Sequence, residues 1–230
     1  MKPLITLTAL SVLSSVLLLS SPAFADVQAV IEHSRGTSVE VSYRDEGHVK
    51  VGNPEEALYY LTSDGKPYVV MAAANGDKRF AMNMQEFLSR SSSGNGVEVP
   101  GKVDMNGVHA TPLDRTEDIG GITGKVYRVE DFGHSWELVV TDDATVAGVT
   151  RAIYSAEIRM AHMASQPMGA EPLAKELKLA ESLGSPGILR GQLYTLKSLQ
   201  PAEAQADDNY QLAKEILVVR DWQEMMDSYH

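Results

Sequence analysis

The side chains that most often carry chemistry are present in this sequence, but they form no recognisable catalytic or metal-binding motif. None of the six histidines has the His-Glu-x-x-His spacing that binds zinc on one face of a helix. The segment Met160-Ala161-His162-Met163, with Met168 nearby, offers thioether and imidazole groups that suit Cu(I). Methionine is also ordinary filler of hydrophobic cores, and Met160 and Met163 fall on an apolar helical stripe. We therefore predict no metal site.

Two pairs of adjacent carboxylates, Asp142-Asp143 and Asp207-Asp208, are the best candidates for acid–base catalysis. Adjacent side chains point in different directions, however, and each pair precedes an expected helix, where capping explains it. The chain has no cysteine, no Gly-x-Ser-x-Gly elbow and no Gly-rich phosphate loop ending in Lys-Ser/Thr. We predict neither catalytic residues nor a cofactor, so an enzyme is the least favoured hypothesis.

The charge balance narrows the range of partners. The chain has 20 Lys and Arg against 31 Asp and Glu, which gives a net charge of -11. Nucleic-acid binders need a basic face to neutralise phosphates, and peripheral membrane proteins often use polybasic segments. Both classes are therefore disfavoured. The hydrophobic fraction of 43% is ordinary for a globular chain and predicts a folded core.

The first 25 residues have the pattern of a secretory signal peptide. Lys2 provides a short positive region, residues 4–19 are mainly apolar, and Ala23-Phe24-Ala25 is the small-x-small motif that signal peptidase recognises. A retained anchor helix fits less well, because the apolar run is short for a membrane span and Pro22 follows it. Cleavage before Asp26 would release a soluble protein, for which we predict a periplasmic location.

The elements after this leader begin as short strands joined by tight turns. Val39, Val41 and Tyr43 alternate with polar residues, which is the period of a half-buried strand. Turns such as Asp45-Glu46-Gly47 are too short to join parallel strands, so the sheet is predicted to be antiparallel. The same alternation resumes after a Ser/Gly-rich segment, at 124–130. We therefore predict one domain over 26–230 with a flexible loop around 89–107, rather than two domains joined by a linker.

Helical patterns follow the strands. Apolar residues recur every three or four positions along 146–163 and form one stripe on a helix of about five turns. A second helix is predicted at 172–183, and a late strand around Tyr194 and Leu196. Residues 209–226 have helical spacing, although Val218-Val219 also suits a strand. Strands followed by helices predict an α+β protein and disfavour a Rossmann fold.

Several segments resemble an exported bacterial domain family of unknown function, related to the LolA/LolB-type periplasmic lipoprotein carriers. These segments are 60–71 with its Tyr60 strand, 78–84 with its terminal methionines, 120–131 with Gly124-Lys125-Val126-Tyr127, and 136–143 with Trp136-Glu137. The resemblance implies a strongly curved antiparallel sheet, an open half-barrel. It also implies a helix packed in or over the mouth of the half-barrel. The apolar stripe of 146–163 must be buried, and we expect this long amphipathic helix on the concave face, with a further helix near the C-terminus. In the carriers the cavity inside the half-barrel accepts acyl chains.

Seven residues at expected inward-facing strand positions are the candidate lining of an apolar cavity. They are Tyr43, Tyr60, Phe80, Met82, Tyr127, Trp136 and Leu138. The same residues would form an ordinary core if the helix filled the sheet.

Two functional hypotheses follow. The first is a non-enzymatic, carrier-like periplasmic protein that binds a lipid, an acyl chain or another hydrophobic ligand. The second is an envelope scaffold that has a filled core and binds a protein partner through its acidic surface. An apolar void of more than about 300 Å³ between helix and sheet would favour the first, and a packed interface would favour the second.

Overall fold

The computed structural model describes residues 26–73, 76, 78–91, 103–164, 169–202 and 207–228. The predicted signal peptide lies outside these residues. The predicted loop around 89–107 is only partly described, since 92–102 also lie outside, and its first residues belong to a helix that ends at Ser91.

Twelve strands and four α-helices are formed within these described ranges. The strands are β1 Val27–His33, β2 Ser38–Asp45, β3 His48–Val51, β4 Leu58–Ser63, β5 Lys66–Ala72, β6 Arg79–Asn83, β7 His109–Ile119, β8 Ile122–Asp131, β9 His134–Thr141, β10 Gly187–Arg190, β11 Tyr194–Pro201 and β12 Leu217–Val219. The helices are α1 Met84–Ser91, α2 Ala144–Met163, α3 Glu171–Ser182 and α4 Trp222–Asp227.

All the strands belong to one sheet with the order β12-β6-β5-β4-β3-β2-β1-β11-β10-β9-β8-β7. Neighbouring strands run antiparallel except for β12, which lies parallel to β6. The sheet is curved and does not close, so the predicted α+β half-barrel is confirmed. The first strand, β1, lies in the interior of this order, between β2 and β11.

Helix α2 packs on the concave face, as its apolar stripe predicts. The Asp143 carboxylate caps its first turn by accepting hydrogen bonds from the backbone N–H groups of Thr145 and Val146, both at 2.9 Å. Val146, Val149 and Ile153 are all buried in the largest hydrophobic cluster. Such a long apolar stripe is stable only when it is covered, and the curved sheet covers it.

Strands β4 to β6 are buried on both faces. Phe80 and Met82 pack on one side with α1 and the end of α2, while Ala81 packs on the other side with Ile216. The C-terminal segment therefore covers the outer side of this region. Of the two alternatives left open for 209–226, the strand at Val218-Val219 is confirmed: Leu217–Val219 form β12, and the helix near the C-terminus is limited to Trp222–Asp227. Val218 and Val219 are β-branched and lie beside the edge of β6, where pairing as a strand suits them better than a helix.

Candidate functional site

A cleft opens on one side of α2, between this helix and strands β2 to β4. Its volume is about 220 Å³. We call it the α2 cleft. It is lined by Tyr43, Glu46, Val49, Thr62, Gly148, Arg151, Ala152, Ser155 and Arg159.

The cleft exists because α2 carries small side chains on this side. Gly148, Ala152 and Ser155 recur at spacings of four and three, so they share one side of the helix. Glycine inside a helix costs about 1 kcal/mol relative to alanine and usually has a packing reason. Here a Cβ at position 148 would overlap the Cζ and Oη atoms of Tyr43. The missing side chain therefore admits the Tyr43 ring against the helix.

Two arginines give the mouth of the cleft its charge. Arg151 Nη2 lies 3.2 Å from Glu46 Oε1, while Arg151 Nε is buried without a hydrogen-bond partner among the described residues. Arg159 has no ion pair within the described part of the chain. Burial lowers the pKa of the Arg159 guanidinium, and no carboxylate offsets that effect. The mouth thus holds one paired and one unpaired cation.

The floor of the cleft is apolar and narrow. A space of about 20 Å³ adjoins it, and both share Val49, Thr62, Ala152 and Arg159 in their linings. Tyr60 and Met84 also line this space. Burial is the main cause that raises the pKa of the Tyr60 hydroxyl. The cleft and this adjoining space therefore combine charged groups with apolar and aromatic groups.

The interface between α2 and the centre of the sheet is filled. The space between Ile153 on α2, Ile31 on β1 and Ile188 on β10 is only about 10 Å³. This is about the space that a single water molecule needs, so no larger group fits there. Space for a ligand beside α2 therefore lies in the α2 cleft and not beneath the apolar stripe.

The structure places the seven predicted lining residues in three regions. Tyr43 lines the α2 cleft and Tyr60 its floor, whereas Phe80 and Met82 are fully buried in the cluster beneath α1. The other three, Tyr127, Trp136 and Leu138, lie on β8 and β9, at the far end of the sheet. Only the first two are brought together at the α2 cleft.

Trp136 borders a second cavity, of about 270 Å³, between β9 and α3. The Lys175 ammonium is already paired with two carboxylates, because its Nζ lies 3.0 Å from Asp131 Oδ2 and 3.0 Å from Glu171 Oε1. Behind it, the buried Glu176 accepts a hydrogen bond from the Tyr154 hydroxyl at 2.8 Å. These contacts hold α3 against α2 and the sheet, so they have a sufficient structural role.

Sequence reasoning missed the residues that give the α2 cleft its character. Arg151 and Arg159 lie off the apolar stripe and match no binding motif. The signal that could have found them is the small-residue spacing Gly148, Ala152, Ser155, with one arginine just before Ala152 and another one turn after Ser155. That pattern marks a side of a helix that cannot fill the space beside it but can place cations there.

The methionine and histidine segment at the end of α2 is part of the packing. Met163 is buried in the cluster with Phe80 and Met82, and Met160 packs against it. Met168 lies outside the described residues. Across the described ranges no three His, Asp or Glu side chains gather as a metal-ligand group. Nor does any helix there combine the length and apolar character needed to cross a membrane.

The fold defines a mixed α+β protein with an open, curved, mainly antiparallel sheet around a long helix. No protein-family model and no curated protein sequence matches the chain. Among solved structures, the crystal structure of MucB is similar at 12% sequence identity and a TM-score of 0.39. The match covers 86% of this chain and 60% of MucB, so it spans less than two thirds of that neighbour's length. We therefore take the function from the residues of the cleft alone.

Proposed function

We propose that this protein is exported through a cleaved leader and acts in the periplasm as a non-enzymatic binding protein for a small amphipathic ligand. The α2 cleft is the binding site. The observation that carries this proposal is that one recess brings polar groups such as Ser155 and Arg159 together with Val49 and the adjoining Tyr60. Binding sites typically combine an apolar lining with a few placed polar groups.

The size of the cleft limits the ligand. Its volume of about 220 Å³ lies below the roughly 300–1,000 Å³ of pockets that enclose drug-sized molecules. It has room for about seven water molecules at roughly 30 Å³ each. The proposed ligand therefore places one polar end and a short apolar segment in the cleft, and the rest of the molecule stays outside. A carrier that encloses several acyl chains would need more space than α2 leaves.

A scaffold is the second candidate, and the filled interface beneath α2 favours it over a carrier with an enclosed cavity between helix and sheet. The roughly 10 Å³ space around Ile153 gives the helix no room for a ligand on that side. The net charge of -11 would then favour association with a basic protein partner.

The test is binding of a neutral apolar dye, N-phenyl-1-naphthylamine, to the protein lacking its leader. We expect saturable binding near one-to-one, and at least tenfold weaker binding to Ala152→Phe, because Ala152 lines both the cleft and its floor. Ala144→Phe is the matched control, since Ala144 is exposed in the first turn of the same helix. Circular dichroism verifies that both variants are folded.

Absence of saturable binding to the unaltered protein, or equal binding to Ala152→Phe, would contradict the cleft as a ligand site. The scaffold would then be the better candidate.

A further inference from the structure

The cationic groups of the α2 cleft stand out against the charge of the whole protein. The chain carries a net charge of -11, yet the charged residues that line this cleft are two arginines and one glutamate. Free anions are repelled by the protein as a whole. A local excess of positive charge inside a recess is therefore a specific feature of this site and does not follow from the composition.

We infer that the α2 cleft binds the anionic end group of its ligand, a carboxylate or a phosphate, through Arg159 and Arg151. This inference rests on the proposed function and adds the chemistry of the ligand's polar end. Arg159 supplies a cation with no ion-pair partner among the described residues. Arg151 supplies a second guanidinium, already held by Glu46, and Ser155 lies between them on α2.

The helix sets the spacing of the two guanidinium groups. Positions 151 and 159 differ by eight residues, which is about 12 Å along the axis at roughly 1.5 Å per residue. Helical side chains lean toward the N-terminus, so Arg159 reaches back toward Ser155, and the Ser155 hydroxyl can donate to an anion bound there. Guanidinium groups bind carboxylate and phosphate oxygens in a planar, bidentate manner that a lysine cannot reproduce.

The unsatisfied polar atoms of the site support the same conclusion. Arg151 Nε is buried with no hydrogen-bond partner among the described residues, and burial of the Arg159 guanidinium is not offset by a carboxylate there. Leaving a cation partly desolvated and unpaired is unfavourable, whereas an anion in the cleft satisfies both groups. A neutral ligand of the same shape would leave them as they are.

The experiment compares three probes with the same twelve-carbon chain: dodecanoate, dodecyl phosphate and dodecanol. Displacement of N-phenyl-1-naphthylamine gives the affinity of each below its critical micelle concentration. We expect at least one anionic probe to bind tenfold or more tightly than dodecanol. Preference for dodecanoate identifies a carboxylate ligand, and preference for dodecyl phosphate identifies a phosphate ligand.

Arg159→Gln is the decisive variant. It should weaken the favoured anionic probe at least tenfold and change dodecanol by less than twofold. Arg159→Lys should bind this probe with an affinity between those of the unaltered protein and Arg159→Gln, because lysine keeps the charge but cannot form the bidentate guanidinium contact. Arg128→Gln, an exposed residue on β8, removes the same charge elsewhere and should leave all affinities unchanged. Should Arg159→Gln fail to fold, Arg151→Gln takes its place with the same expectation.

Equal binding of the anions and dodecanol to the unaltered protein would overturn the inference, as would an equal loss of anion and dodecanol affinity in Arg159→Gln. The proposed function would survive either result, because the cleft would still bind an apolar chain. If neither the dye nor dodecanol binds, the proposed function itself fails.

Discussion

The two sides of α2 face the same curved sheet but meet it differently. On one side, Val149 and Ile153 pack against β1 and β10 and leave a space of only about 10 Å³. On the other side, Gly148 and Ser155 face β2 to β4 and leave a cleft of about 220 Å³. The difference comes from side-chain size, since both sides belong to one continuous helix. Branched apolar residues stabilise the docking of α2. Small residues along about two turns of the helix leave the space beside it open.

The side facing β1 and β10 should be the more sensitive to substitution. Ile153→Asp places a carboxylate at a position that is 1% exposed and offers no cation within the cluster. The expected loss is several kcal/mol of unfolding free energy, enough to unfold a domain of ordinary stability. Urea unfolding followed by circular dichroism measures it. Ala144→Asp, exposed on the same helix, should change stability by less than about 0.5 kcal/mol. A cooperative transition at the unaltered midpoint in Ile153→Asp would show that α2 does not dock as described.

On the cleft side, stability should depend on the close contact between Gly148 and the Tyr43 ring. Gly148→Ala is expected to destabilise the protein by about 1–2 kcal/mol, because the new Cβ overlaps the Tyr43 ring and forces it to move. In a Tyr43→Ala background the same substitution should stabilise it, by up to about 1 kcal/mol, because alanine favours the helix over glycine. Thermal unfolding of the four variants gives the coupling free energy. Additive effects would mean that the ring does not rest on the helix.

The smallest effect is expected from Glu157, where α2 places a carboxyl group near the apolar side. Burial raises its pKa, and a hydrogen bond from Tyr194 partly opposes that rise. The pKa of Glu157 is therefore higher in the folded than in the unfolded protein. Its contribution to folding stability is complete below the unfolded-state pKa and is lost as the pH rises through the folded-state pKa. Glu157→Gln should therefore match the original protein at about pH 4 and exceed its stability at pH 7. Glu130→Gln, exposed on β8, is the control. A stability difference that does not vary between these pH values would contradict the desolvated carboxyl.

The parts of the fold that alternate cleanly could be predicted from the sequence, and the parts that break alternation could not. Residues 124–130 and 146–163 follow periods of two and of 3.6, and both elements are confirmed. Strand β1 has apolar residues at the successive positions Ala29, Val30 and Ile31, so its sequence does not alternate cleanly. Strand β7 is an edge strand with most of its side chains exposed, so it needs no apolar alternation.

The candidate site could be predicted only in its aromatic part. Tyr43 and Tyr60 stand out because an aromatic residue on a strand is expected to face a core or a cavity. For Arg159 the spacing relative to Ser155 is the one signal, and it does not show burial, since a partly buried arginine and an exposed one look the same in a sequence. Its position follows from how far α2 reaches across the sheet, and that is a property of the packed structure.

The interior position of β1 has a consequence for the order of folding. Val27 pairs with Tyr43 on one side and with Pro201 on the other, so one partner strand is close in the chain and the other is near its far end. Contacts between distant segments form slowly, because a long loop must close before they gain any energy. As the chain emerges from its N-terminus, β1 can pair with β2 at once but keeps an open edge until β11 is available. The centre of the sheet is therefore completed only when nearly the whole chain is present.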